Sequence, residues 1–458
     1  MAVWNVVRSS ELSSEFILAP QYYQRIHYVN LEAITATGSY LKLGDCLREP
    51  LQRGIQPIYD EDADVPVINS QHIHLHELIL GENNRRTTLH QKAGKGTVKR
   101  YDVLLNSTGD VTIGRAQVVL DNTRAVVDSH VTIIRTCASL DPVYLYVFLN
   151  SKPGRLQTER YCSGSSGQIE LRKSAIENYI VWLPSDEFQS NIRQLILRAF
   201  DQRKQASDLY SQAESLLLAE LGLGKVDLSH SLFYEARYSE TVKTGRLDAE
   251  YFATDPLREW LSPYPTRALE KLVEKIENGL TPAASEYAEE GIPILKVGGL
   301  LDKGEISWLG DHVSTNSRIN NTSKGRAKSK DVFVLCAAHH VRYIGKTGLL
   351  WGVPEGQVYR YVGELIGIRC SSEIRPEVLT VYLNLDPVLH SVQRLVRGLS
   401  AHLYPQDLAT LPVPLLPDKV QDKISDMLGE SHAARQESKR LIDKAVRLVE
   451  EAIYGTGR

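Results

Sequence analysis

The chain has 458 residues, of which 42% are hydrophobic and 24% charged, a composition typical of a globular protein with two to four domains. Its formal net charge of −3 gives no overall attraction for a polyanion, so a nucleic-acid role would require a local basic surface. No run of about 18 uncharged apolar residues occurs, and residues 1–10 lack the apolar core of a signal peptide, so we expect neither a membrane-spanning nor a secreted protein.

The cysteine usage points to a reducing compartment. The five cysteines are scattered, odd in number and never in C-x-x-C spacing. We therefore expect neither a disulfide framework nor a zinc cage, and a cytoplasmic location. The cysteines are Cys46, Cys137, Cys162, Cys336 and Cys370.

Both halves of the chain predict a mixed α+β domain. Short runs of β-branched and aromatic residues, cut by Gly, Pro and Asn, indicate strands, and local apolar faces indicate short helices. The predicted strands lie at 103–105, 116–120, 131–134, 332–335 and 365–368, and the predicted helices at 144–149 and 379–385.

Each half then predicts one long helix. Residues 186–221 contain no Gly or Pro, and Gly222 and Gly224 supply a stop. Residues 418–454 repeat this texture, interrupted only by Gly429 and closed by Gly455. Gly429 weakens the second helix locally by about 1 kcal/mol relative to Ala.

The two halves are similar in sequence. Eight short matches keep the same order, with offsets between 227 residues (Val65 with Ile292) and 234 residues (Arg135 with Arg369). Isolated matches arise by chance, but an ordered series of eight indicates a duplicated module of roughly 220 residues. The matches are ILAPQYY with RLDAEYF, VPVINSQHI with IPILKVGGL, RYDVLLN with SKDVFVL, IGRAQ with IGKTG, VTIIR with IGIR, VYLYVFLN with VLTVYLN, the turns at Gly164 and Gly398, and WLP with LLP.

The long helices carry heptad seams in the same phase, with small residues in the middle that would let two backbones approach closely. The shared phase favours an antiparallel coiled coil over the alternative of two unrelated surface helices, and about 35 residues would make a rod of roughly 50 Å. The seams are Ile192, Leu195, Ala199, Gln202, Ala206, Leu209, Ala213 and Leu216, and Ile424, Met427, Ser431, Ala434, Ser438, Leu441, Ala445 and Leu448.

Basic residues cluster at equivalent places, just before the DV strand of each half. The clusters contain no acidic residue and are interleaved with Thr, Ser, Asn, Gln and Gly, a mixture suited to phosphate and base-edge contacts. A single charge run is usually a solvated loop, but recurrence in both modules favours nucleic acid, and acids at 60–64 and 286–290 can face away. The candidate DNA-binding residues are Arg85, Arg86, Lys92, Lys95, Lys99 and Arg115 in the first half, and Arg318, Lys324, Arg326, Lys328, Lys330 and Lys346 in the second.

No catalytic constellation is evident in the sequence. Gly345-Lys346-Thr347 resembles the end of a phosphate loop, but His340 replaces the required upstream glycine, which favours a structural turn. His72, His74 and His76 are spaced to share one strand face, yet no neighbouring Cys or carboxylate completes a metal site. We expect no catalytic residue, metal or cofactor in this chain.

The ordered, doubled motifs resemble the specificity (S) subunit of Type I restriction-modification systems over essentially the whole chain. The resemblance depends on RLDAEYF at 246–252, the DVLLN and DVFVL strands, IGRAQ and IGKTG, LYVFLNS, the Gly-Ser turn followed by Leu-Pro, and the helices led by Gln189 and Gln421. The ILAPQYY copy departs at Ala19 and Pro20, where the second half has Asp248 and Ala249.

This resemblance implies a non-catalytic subunit with two target recognition domains, at 1–185 and 225–417, joined by helices at 186–224 and 418–458 that form an antiparallel coiled coil. It implies double-stranded DNA, two methyltransferase subunits and restriction-translocase subunits as partners, with S-adenosylmethionine, ATP and Mg²⁺ on those partners only. The coiled coil would fix the spacing of a bipartite DNA site. The two halves differ most between the matched motifs, where Gly-Ser-Ser-Gly faces Gly-Leu-Ser-Ala, so the sequence itself predicts two different half-sites and an asymmetric target.

Two other function classes remain open from the sequence. One is a Type IIG-like enzyme with an unrecognised site, which would bind a cofactor as the isolated chain. The other is a coiled-coil scaffold of another defence complex, which would not discriminate target from random DNA.

Overall fold

In the computed structural model of the chain, the described residues are 19–60, 62–80, 84–88, 96–109, 111–164, 169–223, 234–252, 255, 257, 260–261, 263–301, 303–308, 310–398 and 400–455. They fall into two compact units. Unit 1 comprises the described residues up to Arg203 together with those from Arg435 onward, and unit 2 is Lys204–Ala434.

Unit 1 contains nine short strands and four short helices among its described residues. The strands are β1 (Tyr40–Lys42), β2 (Gln52–Arg53), β3 (Val65–Ile68), β4 (Arg86–Thr87), β5 (Val103–Asn106), β6 (Ala116–Val118), β7 (Val126–Val127), β8 (Val131–Ile134) and β9 (Ile180–Trp182). The helices are α1 (Arg25–Ala36), α2 (Pro142–Asn150), α3 (Lys152–Tyr161) and α4 (Lys173–Glu177), followed by the long α5 (Asp186–Leu221).

Unit 2 likewise consists of short strands and short helices together with one long helix. Its described helices are α6 (Tyr238–Thr244), α7 (Ala249–Phe252), α8 (Pro376–Asn384), α9 (Asp386–Arg394) and α10 (Pro405–Leu408), followed by the long α11 (Asp418–Tyr454), whose residues from Arg435 onward belong to unit 1. Its described strands are β10 (Thr266–Ala268), β11 (Val273–Asn278), β12 (Tyr287–Ala288), β13 (Ile292–Leu295), β14 (His312–Val313), β15 (Arg326–Ala327), β16 (Val332–Leu335), β17 (Thr347–Leu349), β18 (Tyr359–Tyr361), β19 (Leu365–Cys370) and β20 (Pro412–Pro414).

The sheets of unit 2 repeat those of unit 1. The antiparallel sheet β2-β8-β5-β6 corresponds to β11-β19-β16-β17, and the pair β1-β9 corresponds to β10-β20. The sheet β4-β3-β7 corresponds to the core of β12-β14-β13-β18-β15, and in both the central pair, β3-β7 or β13-β18, is parallel. The predicted α+β fold with an internal repeat is therefore confirmed. The predicted short strands and helices correspond to β5, β6, β8, β16, β19, α2 and α8, although β6 ends at Val118 rather than at residue 120 and α8 ends at Asn384 rather than at residue 385.

Equivalent amide side chains fasten the same elements in both units. Asn150, at the end of α2, accepts from the Ala116 backbone N–H at 3.2 Å and donates to the Ala116 carbonyl at 2.9 Å. Asn384, at the end of α8, makes the same two bonds to Thr347 at 3.1 and 3.0 Å. Each bond satisfies a buried backbone group, so the helix and the hairpin are fixed together.

The two long helices pack on each other within each unit. The core of unit 1 includes Ile192 and Ala199 of α5 with Ala445 and Val449 of α11. In unit 2 the Ser431 hydroxyl donates to the Ala206 carbonyl at 2.7 Å, both groups being buried. Because the early part of α5 meets the late part of α11, and the reverse, the helices run antiparallel, as the coiled-coil prediction required. Over the described ranges, no helix combines the length and apolarity needed to cross a membrane.

The buried stripes of the two helices differ from the predicted seams at five positions in all. Ile192, Leu195, Ala199, Ala206, Ala213, Ile424, Ala434, Leu441 and Ala445 are buried as predicted. Gln202, Leu209, Leu216, Met427 and Leu448 are only half-buried. Beside the last four, the neighbouring Tyr210, Leu217, Leu428 and Val449 are buried instead. A heptad seam describes one contact surface, whereas these helices also pack on the domain core of their own unit, which widens the apolar face.

A disulfide joins Cys46 to Cys137, contrary to the expectation of reduced cysteines throughout. The residues are 91 positions apart, but the Cys137 N–H donates to the Cys46 carbonyl at 2.8 Å, and the Cα atoms are 5.2 Å apart, within the range for a disulfide. Sequence spacing could not reveal this long-range pairing. In unit 2 the equivalent backbone bond joins Ser371 to Leu272, so the disulfide belongs to unit 1 alone.

Candidate nucleic-acid interface

The basic cluster of unit 2 lies on one loop, residues 318–330, which connects β14 to β16 and contains β15; we call it the 318–330 loop. Arg318, Lys324, Arg326 and Lys328 are all exposed on it, and the Arg318 side chain is 74% exposed. Exposed cations interleaved with Asn, Thr and Ser can bind phosphate oxygens and base edges together. Four of the five predicted cations of this loop are therefore placed on one accessible segment.

Buried and half-buried side chains hold the backbone of this loop. Glu286 accepts from the backbone N–H of Arg318 and from the Ser317 hydroxyl, each at 2.9 Å. These bonds, after that of the Ala283 N–H, hold the pKa of Glu286 below its usual range. Arg360 donates to the carbonyls of Thr322 and Lys324. Glu286 therefore does not face away from the cations, since its carboxylate accepts the Arg318 N–H and lies 3.4 Å from the Arg318 Nε.

Lys330 differs from the other cations of the loop. Its ammonium donates to Glu377 at 2.6 Å and lies 3.9 Å from the centre of the Trp351 ring. The ammonium is therefore already engaged with a carboxylate and an aromatic face, unlike those of Lys324 and Lys328. That Lys330 binds DNA stays a prediction, and a phosphate would have to share the ammonium with Glu377.

In unit 1 the equivalent cluster is described only in part. Lys92 and Lys95 lie outside the described residues. Arg85 is exposed, with its guanidinium 3.3 Å from the centre of the Tyr59 ring, and Lys99 is exposed just before β5. Arg86 is half-buried on β4. A guanidinium stacked on tyrosine keeps its edge free for planar hydrogen bonding.

A pair of glycines supports each basic segment, and neither pair is among the residues predicted from the sequence. Gly96 and Gly325 have φ angles of 82° and 71°, and each packs against a second glycine, Gly54 or Gly279. A Cβ on Gly54 would lie 2.2 Å from the Val127 carbonyl oxygen, and one on Gly279 would lie 2.1 Å from that of Tyr361. Only glycine allows the backbone to approach this closely. The signal was present in the sequence, since KGTVKRYDV at 95–103 matches KGRAKSKDV at 324–332.

An aspartate–arginine pair closes each of these segments. Asp102 accepts two bonds from Arg135 at 2.7 and 2.8 Å, and Asp331 accepts two from Arg369 at 2.8 and 2.7 Å. The same aspartates also accept the backbone N–H of Lys99 or Lys328 at 2.8 Å. Hydrogen bonds to Asp102 raise the pKa of Arg135. The D of each DV motif therefore fixes the end of the basic segment.

Arg115 and Lys346 lie apart from the basic segments. Their carbonyls accept from Asn106 and Leu335, the last residues of β5 and β16, whereas the basic segments precede the first residues of those strands. Both residues are half-buried. The structure therefore does not place these two predicted residues with the others, since the hairpin separates them by the length of a strand.

The histidines at 72, 74 and 76 have separate partners rather than one metal-binding face. His72 accepts from the Asn69 N–H at 3.0 Å, His74 contacts the Gln71 carbonyl at 2.8 Å, and His76 pairs with Asp443 at 2.8 Å. Burial lowers the pKa of His72 and of His74. No group of three or more His, Cys, Asp or Glu residues suited to a metal ion occurs within the described part of the chain.

No protein-family model matches the chain, and no curated protein matches it. Solved structures similar to it include the Type-I restriction-modification system S subunit from M. genitalium, at 12% identity and a TM-score of 0.38 over 91% of this chain and 95% of that one. The HsdS subunit from Thermoanaerobacter tengcongensis is 15% identical, with a TM-score of 0.29 over 91% of this chain and 96% of that one. A further structure, described for complex assembly and conformational transition of the type I R-M system, is 15% identical, with a TM-score of 0.29 over 91% of this chain and 97% of that one.

Proposed function

We propose that the chain is the DNA-recognition subunit of a Type I restriction-modification system and that each unit reads one part of a bipartite DNA site. The observation that carries the proposal is the repetition of one device. In both units an exposed basic segment follows a positive-φ glycine, packs over a second glycine and ends at a buried aspartate. Duplicated folds do not need to keep exposed cations at equivalent places for stability, whereas a reader of two DNA segments does.

Within each segment we assign separate tasks to cations and neutral polar residues. Lys324, Arg326 and Lys328 neutralise phosphates and set the position of unit 2 on the duplex. Thr322 and Ser323, beside them on the same loop, are available to base edges in the major groove. The two segments differ in sequence, so we propose that the two parts of the site differ and the whole target is asymmetric.

Catalysis belongs to partner subunits in this proposal. We propose that S-adenosylmethionine, ATP and Mg²⁺ act on methyltransferase and restriction subunits assembled with this chain. The paired helices α5 and α11 set the separation of the two parts of the site. Inserting about four residues, one helical turn, into both helices, after Arg203 and after Ala434, should lengthen the tolerated spacer and leave both recognised segments unchanged. Methylation sequencing of the host measures the length of the spacer. An unchanged spacer would refute the proposal that the paired helices set the separation of the two parts of the site.

The DNA-binding test removes three exposed cations of the 318–330 loop, Lys324, Arg326 and Lys328. The recognised site is first obtained by methylation sequencing of a host carrying the system, and binding of the assembled complex to that duplex is then measured across a salt series. Lys324→Ala, Arg326→Ala and Lys328→Ala together should weaken binding and reduce the slope of log Kobs against log salt by about 0.9 for each phosphate that is no longer neutralised.

The matched control removes three cations of unit 2 that lie outside the loop. Lys243, Lys271 and Lys419 are exposed, and their joint change to alanine alters net charge by the same amount. This control should leave the salt slope unchanged. Equal slopes for the loop variant and wild type would show that the loop does not contact phosphate, and equal binding of target and random duplex by the wild type would favour the scaffold alternative. Cofactor binding by the isolated chain would favour the enzyme alternative.

A further inference from the structure

A buried arginine without an acidic partner lies beneath the 318–330 loop. Arg360, in β18, is 1% exposed, and its Nε and Nη2 atoms have no hydrogen-bond partner. Among the ion pairs of the described residues, none involves Arg360. A buried, incompletely paired guanidinium is destabilising relative to an apolar residue of similar size. Its presence therefore calls for a reason other than the stability of unit 2.

The bonds that Arg360 does make all reach the loop. Its Nη1 donates to the carbonyls of Thr322 and Lys324, both at 2.9 Å. These carbonyls flank Ser323 and precede Gly325, whose own carbonyl accepts from the Tyr361 N–H at 3.2 Å. Three carbonyls of the loop are thus fixed, while the side chains of Ser323 and Lys324 remain exposed. The segment is held in one conformation before any ligand arrives.

The charge of Arg360 adds to that of the loop. Burial, and after it the positive charge of Arg326, lowers the pKa of Arg360. Arg326 and Arg360 are also directly opposite each other in the antiparallel pair of β15 and β18. Two like charges in register repel, and an anion bound over the loop would relieve the repulsion. This arrangement favours a polyanion over a neutral partner.

Unit 1 lacks this residue. The bridge between Thr97 and Val126 occupies the place of the pairing between Arg326 and Arg360, so Val126 is the counterpart of Arg360. The device is therefore specific to unit 2 and is not a requirement of the duplicated fold.

We propose that Arg360 is a positioning residue that preorganises residues 322–326 for DNA, so that the reading of one half of the site depends on it. This inference rests on the proposed function and identifies which buried residue determines specificity in unit 2. Arg360 does not touch the DNA in this scheme; it acts through the backbone of Thr322 and Lys324.

The test has one arm without DNA and one with it. In the free chain, Arg360→Met should raise amide hydrogen exchange across 318–326 about tenfold, as expected for losing charge-assisted hydrogen bonds. In the assembled complex, the same variant should lose about tenfold in discrimination between the cognate duplex and one randomised in a single half-site, with discrimination at the other half-site unchanged. Arg360→Lys, which keeps the charge and can donate to both carbonyls, should restore most of both signals.

Arg267→Met is the matched control, because Arg267 is an exposed arginine of unit 2 paired with Glu373. It should change neither signal. Unchanged exchange in the loop of Arg360→Met, or an equal loss of discrimination at both half-sites, would overturn the inference. If the Met variant does not fold, Arg360→Gln, which keeps one amide donor without the charge, supports the same comparison. Failure of the wild-type complex to select any sequence would instead refute the proposed function, and the exchange arm would still decide whether Arg360 anchors the loop.

Discussion

The basic segments of the two units rest on the same glycine pairs and aspartate–arginine pairs, which we call the frame. The loop carbonyls, however, are held by different arginines in the two units. In unit 1 the buried Arg135 reaches from its pair with Asp102 to the Thr97 carbonyl at 3.2 Å. In unit 2 the equivalent Arg369 bonds to Asp331, and Arg360 takes over the loop carbonyls. In unit 1 one guanidinium both pairs with the aspartate and donates to a carbonyl of the basic segment. In unit 2 two guanidinium groups make these contacts separately.

This difference separates what the duplication preserved from what it changed. The glycine pairs and the aspartate–arginine pairs hold the backbone path and are the same in both units. The contacts nearer the surface differ: Arg85 stacks on Tyr59 in unit 1, whereas the Arg318 segment is held by Glu286 in unit 2. Backbone support is general, while the groups presented to solvent are particular to each unit, as two different recognised sequences would require.

The largest effect is expected from removing the doubly engaged arginine. Arg135 is 5% exposed and bonds to Asp102, Glu49 and the Thr97 carbonyl, so Arg135→Met should leave a buried carboxylate unpaired and cost about 3–5 kcal/mol in free energy of unfolding. Arg369→Met should cost less, because Arg369 pairs with one carboxylate and its side chain is 23% exposed. Chemical denaturation measures both losses. Equal losses, or a larger loss for Arg369, would contradict the assignment of two contacts to Arg135 and of only one to Arg369.

Substitution of a frame glycine by alanine should lower the free energy of unfolding by about the same amount in both units. Gly54→Ala and Gly279→Ala each place a Cβ within 2.2 Å of a backbone carbonyl oxygen, and such overpacking should cost about 1–3 kcal/mol in free energy of unfolding. Gly429→Ala is the control, since nothing lies within 4 Å of its Cβ position and alanine favours the helix. A thermal melt should show two destabilised variants and one slightly stabilised variant. A neutral result at either frame glycine would show that the two frames are not equivalent.

The smallest effect is expected at Lys330. Lys330→Met removes the ion pair with Glu377 and the contact with Trp351, at about 1 kcal/mol or less in stability. Because the ammonium is already engaged, the salt slope of DNA binding should remain that of the wild type. A slope reduced by about 0.9 would place Lys330 in the phosphate-binding set.

Features encoded locally were predictable from the sequence. The strands at 103–106 and 332–335 are buried on both faces and rich in Val and Leu, and the long helices lack Gly and Pro over most of their length, so their type follows from composition and periodicity. The internal repeat alone established the equivalence of the two basic segments. Four of the five cations predicted on the 318–330 loop are exposed for the same reason, because charged loop residues avoid burial.

What escaped prediction depends on partners distant along the chain. Arg360 stands between two tyrosines in a strand, where an arginine ordinarily indicates a solvent-facing position, and its burial follows only from the loop carbonyls above it. Nothing in the sequence indicated that Lys330 contacts Glu377 and Trp351. Single-sequence patterns record neither type of contact, because each joins residues more than 20 positions apart.

The division of the chain into units has a consequence for how it folds during synthesis. Unit 2 is continuous in sequence, whereas the core of unit 1 needs Leu441, Ala445 and Val449, which are made after the whole of unit 2. Domains usually complete their folding in the order in which they leave the ribosome. Here the first domain to emerge is the last able to close its core, and until α11 arrives the apolar face of Ile192, Ile196 and Ala199 has no partner helix to cover it.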